Sequence, residues 1–290
     1  MILQGLEGSD ALFSISRGDE SYMFRENVLI TGVEENWKVM ENIKQLKPSG
    51  IEIHISSKEG WVRKLFPDFK YFDSFSKKES EEEYISDLIE YCTFQKIGWI
   101  IPLSEQEAST LAKHKLKMKE NNVMFITSFD WDKTVLHDSF SVQGNTFTYS
   151  FDQIKNAPEG VKVGKINAYV DYRSSEVICC FMREEYERYQ DTVLSYEVFA
   201  NSILEECVAI IAQRLNIKGS FSFDYQRDSE GMYTITKIEC FMTHSTREAI
   251  FSDYDFANYL WSNIQGIVLL KESNDKSPFV YRLNEEYFFF

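Results

Sequence analysis

Proline and glycine are scarce, at 5 and 13 of 290 residues. With 15% of the chain aromatic, that scarcity excludes collagen-like repeats, low-complexity linkers and a disordered chain. Cysteine is also rare, and the five present (Cys92, Cys179, Cys180, Cys207, Cys240) are an odd number at scattered spacings. Neighbouring Cys179 and Cys180 would face opposite ways on a strand, which suits neither a disulfide nor a zinc knuckle. Positive charge is in deficit: 31 Lys and Arg stand against 46 Asp and Glu, a net charge of −15, and no basic run exceeds Lys77-Lys78. Such a chain repels polyanions, so neither nucleic acid nor an acidic membrane is expected as a partner. No apolar run reaches the ~18 residues a membrane helix needs. Met1–Met23 carries Glu7, Asp10, Arg17, Asp19 and Glu20 and lacks the shape of a secretory signal. These absences predict a soluble, reduced, cytoplasmic protein.

What is present is a change of pattern half-way along. Residues 1–26 have no clear period and read as an N-terminal extension. Val28-Leu29-Ile30, Ile51/Ile53/Ile55, Trp99-Ile100-Ile101 and Val123–Ile126 are short apolar or alternating runs, the mark of strands. Between them Trp37, Met40, Ile43 and Leu46, then Tyr84, Leu88, Ile89 and Cys92, then Leu111 to Met118, fall at helical spacing. Strands alternating with helices predict a parallel sheet, a Rossmann-like α/β unit over 27–140. From 141 to 290 the pattern predicts an α+β unit with an antiparallel sheet. Its parts are a hairpin of Lys165–Tyr172 with Glu176–Met182, a helix from about Ser195 to Asn216, strands Ser220–Tyr225 and Met232–Cys240, and a helix at Phe256–Ile264. The aromatic end, Tyr287-Phe288-Phe289-Phe290, is expected to dock on the chain's own core or on a partner.

Asp224 and Glu239 stand on the last two of those strands, folded about a turn at Gly231. If they share a face, two close carboxylates need a cation, and hard oxygen ligands suit Mg²⁺. Otherwise they are ordinary hydrogen-bonded or solvated sheet residues. Because the turn is long, the pair is expected on one face only if the strands run without a bulge. His244 could act as a base beside Glu239 or Cys240 if the chain loops there, whereas on an extended strand it cannot activate Ser245. His54 reads as a strand histidine rather than a ligand. Two acids after Gly32, Glu34 and Glu35, rule out a dinucleotide fingerprint.

The stretches Lys218–Tyr225, Gly231-Met232-Tyr233 and Ile238-Glu239-Cys240 resemble the C-terminal part of the ATP-grasp superfamily. The likeness is to its carbamoyl-phosphate-synthase-like carboxylate–amine ligases. Val28–Gly32, Ile100–Glu107 and Leu136-His137-Asp138 are similar to that family's N-terminal domain and its entry to the nucleotide domain. The resemblance covers about 27–138 and 160–250. It implies Mg²⁺ and ATP, with Asp224 and Glu239 holding the metal.

Three departures bear on that expectation. The family's Leu-His-Asp-Lys ends here in Ser139, so a phosphate-binding lysine is missing. Residues 139–163 are too few for the subdomain that carries a second ATP-binding lysine and a glycine-rich flap. After Glu239-Cys240 the expected Asn-Pro-Arg is Phe241-Met242-Thr243. Several charge-assisted bonds to phosphate, roughly 1.5–3 kcal/mol each, are thereby lost. The expected fold is thus a Rossmann-like domain followed by a truncated ATP-grasp-like domain lacking most of one nucleotide-binding subdomain. The expected function is a catalytically degenerate pseudo-ligase without ATP or Mg²⁺, a binding, scaffolding or regulatory subunit. Its partners would be a second copy or an active ligase, and a small carboxylate or amine its ligand. The alternatives are an ATP- and Mg²⁺-dependent carboxylate–amine ligase, or an ATP-independent enzyme reusing the cleft through Glu239, Cys240 and His244.

Overall fold

The computed structural model describes residues 27–73, 80–126, 139–150, 160–189, 192–242, 255–271, 279–283 and 286–289. Five parallel strands come first: β1 (Asn27–Thr31), β2 (Ile53–Ser57), β3 (Lys70–Asp73), β4 (Ile97–Pro102) and β5 (Met124–Phe125), in the order β3-β2-β1-β4-β5. Helices α1 (Trp37–Gln45), α2 (Gly60–Leu65), α3 (Glu81–Phe94), α4 (Glu105–Lys113) and α5 (Lys115–Glu120) connect them. Val28 and Ile30 face α1, whereas Leu29 faces α3, so both sides of β1 are buried, as a central parallel strand requires. The helix starts follow local chemistry. Ser80 and Ser104 accept hydrogen bonds from the amides of Glu83 and Glu107, at 3.1 and 3.2 Å. Glu81–Glu83 sit in the first turn of α3, where acid meets the positive end of the helix dipole.

Nine strands build the second sheet: β6 (Phe140–Val142), β7 (Asn145–Tyr149), β8 (Lys162–Val170), β9 (Val177–Tyr189), β10 (Thr192–Phe199), β11 (Gly219–Arg227), β12 (Tyr233–Glu239), β13 (Phe279–Leu283) and β14 (Glu286–Phe289). Their order is β14-β13-β10-β9-β8-β11-β12-β7-β6, antiparallel throughout except where β7 runs parallel to β12. One face packs on α6 (Ser202–Arg214) through Ile166, Ala168, Cys180, Met182, Phe221 and Phe223. The other face, through Tyr169, Phe181, Tyr196 and Val198, joins α7 (Phe256–Ile264) and the α1 side of the parallel sheet in one hydrophobic cluster. Trp261 of α7 donates its indole N–H to the Ile43 carbonyl of α1 at 2.9 Å, fastening the two sheets together.

One expectation changes. The helix expected from about Ser195 begins at Ser202, and Phe199 lies at the end of β10. Buried Val193, Tyr196 and Val198 suit a strand, and Asn201 caps the helix by accepting from the amides of Ile203 and Leu204. The short elements α2 and β3 carried no clear period and went unread. The aromatic end forms β14, paired with β13 at the sheet's edge. The extension 1–26, Lys77-Lys78, Leu136-His137-Asp138 and His244-Ser245 lie outside the described residues. Among the described residues, no helix is long and apolar enough to cross a membrane.

Candidate functional site

The carboxylates of Asp224 and Glu239 meet on the sheet face opposite α6. Glu239 pairs across the strands with Ser222, and Asp224 with Lys237, one pleat further along. Tyr225 then pairs with Ile235, which leaves Thr236 as an extra residue on β12. This bulge corrects the expectation that a bulge would part the two acids. Without Thr236 in excess, Glu239 would stand opposite Phe221 and point into the α6 core. The added residue turns it to the face of Ser222 and Asp224.

A lysine occupies the space between them. Lys165 of β8 pairs directly with Asp224, and its Nζ lies 3.2 Å from Asp224 Oδ1 and 2.7 Å from Glu239 Oε2. Lys237 Nζ takes the second oxygen, Glu239 Oε1, at 2.7 Å, and Ser222 Oγ donates to Oε2 at 3.3 Å. Lys165 and Glu239 are nearly buried, with side chains 11% and 13% exposed. Burial alone would raise the Glu239 carboxyl. The charge and hydrogen bond of Lys165, then those of Lys237, reverse this and hold it down at about 2. Burial likewise works against a charged Lys165, yet Asp224 and Glu239 raise its ammonium above the ordinary lysine value. Both groups are therefore ionised at neutral pH. Next along the pleat, Arg183 of β9 pairs with Lys165 in register, reaches Glu185 at 3.3 Å and lies over the Tyr196 ring.

This donor set does not fit a divalent metal. The oxygens that would ligate it already hold two ammonium groups, and a cation placed between them would sit against Lys165. Among the described residues, no three His, Cys, Asp or Glu side chains gather as a metal site. Two carboxylates and two lysines make the cluster neutral, so the counter-ion that close acids require is part of the chain.

Cys240 follows Glu239 but packs in the α6-side cluster, 2% exposed, with burial first and the Glu239 charge second holding its thiol well above the usual value. That is the setting of an inert core thiol, not of a nucleophile. His54 is buried, with Nδ1 2.8 Å from the Tyr91 hydroxyl. All five cysteines are free and buried. Lys165 was not singled out by sequence reasoning. The available signal was a lysine inside an apolar strand, which is rare unless paired.

No protein-family model matches the chain, and no curated protein does. Solved structures do. The chain has the ATP-grasp fold. N5-carboxyaminoimidazole synthetase from Staphylococcus aureus superposes with a TM-score of 0.60 at 14% identity, over 89% of this chain and 82% of that one, and has also been solved with ADP. The biotin carboxylase domain dimer of Hydrogenobacter thermophilus 2-oxoglutarate carboxylase, in complex with MgADP, ADP and bicarbonate, gives 0.60 at 11% identity over 89% and 74%. Pyruvate carboxylase from Rhizobium etli gives 0.58 at 12%, over 89% of this chain and 30% of its own.

Proposed function

We propose that this chain is an ATP-grasp-fold pseudo-ligase, a binding or regulatory subunit in which Lys165 stands where the fold's enzymes would place a metal. One observation carries the reading: the Lys165 ammonium bridges Asp224 and Glu239 at 3.2 and 2.7 Å. Mg-ATP needs those oxygens for its metal and lysines free for its phosphates. Here both lysines are spent on the carboxylates. Ser139, the short stretch 139–163 and Phe241-Met242-Thr243 point the same way, since each removes a cation or backbone cradle for phosphate. In this reading residues 27–140 and 141–290 are the two functional units. The subunit works as a homo-oligomer or beside an active ligase, and the cleft takes a small carboxylate or amine.

Calorimetric titration with Mg-ATP tests it. No binding up to millimolar nucleotide is expected. Micromolar binding that is lost in Glu239→Gln would overturn the reading in favour of a working carboxylate–amine ligase, which the likeness to a synthetase and to biotin carboxylases supports.

A further inference from the structure

A second buried polar cluster lies in the parallel sheet and is independent of Lys165. In the order β3-β2-β1-β4-β5, β1 is followed through α1 by β2 on one side, whereas β4 lies on its other side. Ligand crevices of open α/β sheets form at such reversals, beyond the carboxyl ends of the strands. Here the crevice is bordered by the β1–α1 loop, residues 32–36, and by the start of α4. The loop is tied to α4's approach at three points. The Leu103 amide donates to the Thr31 carbonyl at 2.8 Å, Asn36 Nδ2 donates to the Leu103 carbonyl at 2.6 Å, and Gly32, at φ +67°, packs against Ser104 so closely that a Cβ would stand 2.7 Å from its side chain.

Behind these contacts Glu107 of α4 is 3% exposed. Its Oε2 accepts a 2.6 Å hydrogen bond from the Tyr84 hydroxyl of α3. Charged groups face it from two further elements: Glu34 and Glu35 on the β1–α1 loop, and Lys58 after β2. Lys58 is itself engaged, its Nζ donating to Gln106 Oε1 at 2.7 Å. Glu34 Oε2 is buried and has no hydrogen-bond partner among the described residues. Its other oxygen, Oε1, accepts from the Lys58 amide at 3.4 Å, so one side of this loop acid lacks a donor where it faces the acid buried beside a tyrosine. While Glu107 keeps its proton the loop acids face a neutral group, and loss of that proton sets like charges opposite one another at a buried side chain.

We propose that Glu107, Tyr84 and Glu34 form a proton-operated latch, which holds the β1–α1 loop against α3 and α4 while Glu107 is protonated and loosens the loop over the crevice when it ionises. Burial, then the two loop acids, outweigh Tyr84 and Lys58 and push the Glu107 carboxyl up to about 7, within the range where cells change pH. The sign follows from linkage. Between about 4.5 and 7 the folded form keeps a proton that the unfolded form has released, so stability falls as pH rises through that window and levels off above it.

The test is the unfolding equilibrium of the full chain from pH 5 to 8.5, with hydrogen exchange read at residues 31–36. The wild type should lose about two orders of magnitude in folded-to-unfolded ratio across the window, with exchange in the loop rising in step. Glu107→Gln, which keeps a donor and cannot ionise, should remove that component of both profiles. Glu34→Gln removes the facing charge and should move the transition to lower pH, which keeps the test sharp if Glu107→Gln folds poorly. In the infrared, a protonated-carboxyl band that titrates in the wild type should vanish in Glu107→Gln. Parallel profiles for wild type and both variants, or loop exchange indifferent to pH, would overturn the latch.

Discussion

Replacing Lys165 by methionine removes one ammonium, keeps most of the side-chain volume and leaves Asp224 and Glu239 with Lys237 as the one ammonium of the cluster. Glu239 is held at about 2, below its ordinary 4.5, a net stabilisation of roughly 3 kcal/mol that remains after Lys165 and Lys237 have offset its burial. Breaking a buried pair from one side costs about 3–5 kcal/mol. Lys165→Met should therefore cost about 3 kcal/mol, lowering Tm by about 6–12 °C in a chain of this size. Glu239→Gln should cost a similar amount, and the double variant less than the two together, with a coupling of about 2 kcal/mol in a double-mutant cycle. The vacated face should then accept a divalent cation. Mg²⁺ at ten times its dissociation constant would return about 1.4 kcal/mol to Lys165→Met, read as a rise in Tm that the wild type does not show. The reasoning fails if the wild type gains as much from Mg²⁺ as the variant does. It fails equally if the cycle shows no coupling.

Three further outcomes follow from packing. Gly164→Ala would drive a Cβ into the Tyr225 ring and to 2.5 Å from the Arg183 carbonyl, so a loss of about 2–4 kcal/mol is expected in chemical denaturation. Asp171 accepts from the amides of Arg173 and Ser174, both at 2.7 Å, and from Asn263 Nδ2 at 2.9 Å; burial alone would raise its carboxyl, but these bonds bring it below the usual range. Its contribution is present above the ordinary carboxylate value and lost on acidification through the lowered one, so Asp171→Asn should cost about 2 kcal/mol at pH 7 and much less in acid, as urea midpoints at the two pH values will show. The five cysteines should resist a thiol reagent in the native protein and all react in denaturant, with rates tracking global unfolding.

The parallel half was legible because all of its strands but β3 fall in short apolar or alternating runs, as at Val28–Ile30 before Thr31-Gly32. The hairpin β8–β9 and the strands β11 and β12 were equally plain. β10 was not, since Phe199 stands at helical spacing before Ile203 and Cys207 of the helix that follows. Only the cap at Asn201 separates the two. In the site, Asp224 and Glu239 were found from residue type and order, whereas their relation depended on Thr236, a bulge that no local pattern announces. Lys165 and Glu107 were missed because each sits in a regular element where an ion reads as a solvated surface residue. Both owe their burial to partners distant in sequence, Glu239 and Tyr84.

The joint between Trp261 and Ile43 bears on how this chain can be handled. The stripe of Val39, Met40 and Ile43 is buried in the cluster that contains Trp261 and Leu260, more than two hundred positions away in the chain. A fragment stopping after β5 would keep that stripe on Val28 and Ile30 but lose the cover that α7 supplies, and one starting at β6 would expose α7. Neither half is expected to be well behaved on its own, but the two produced together from separate messages should find each other and regain a single melting transition. The same joint sets an order of assembly: the α3-side core of the first sheet can close by itself, whereas its α1 side is completed only once α7 has been made.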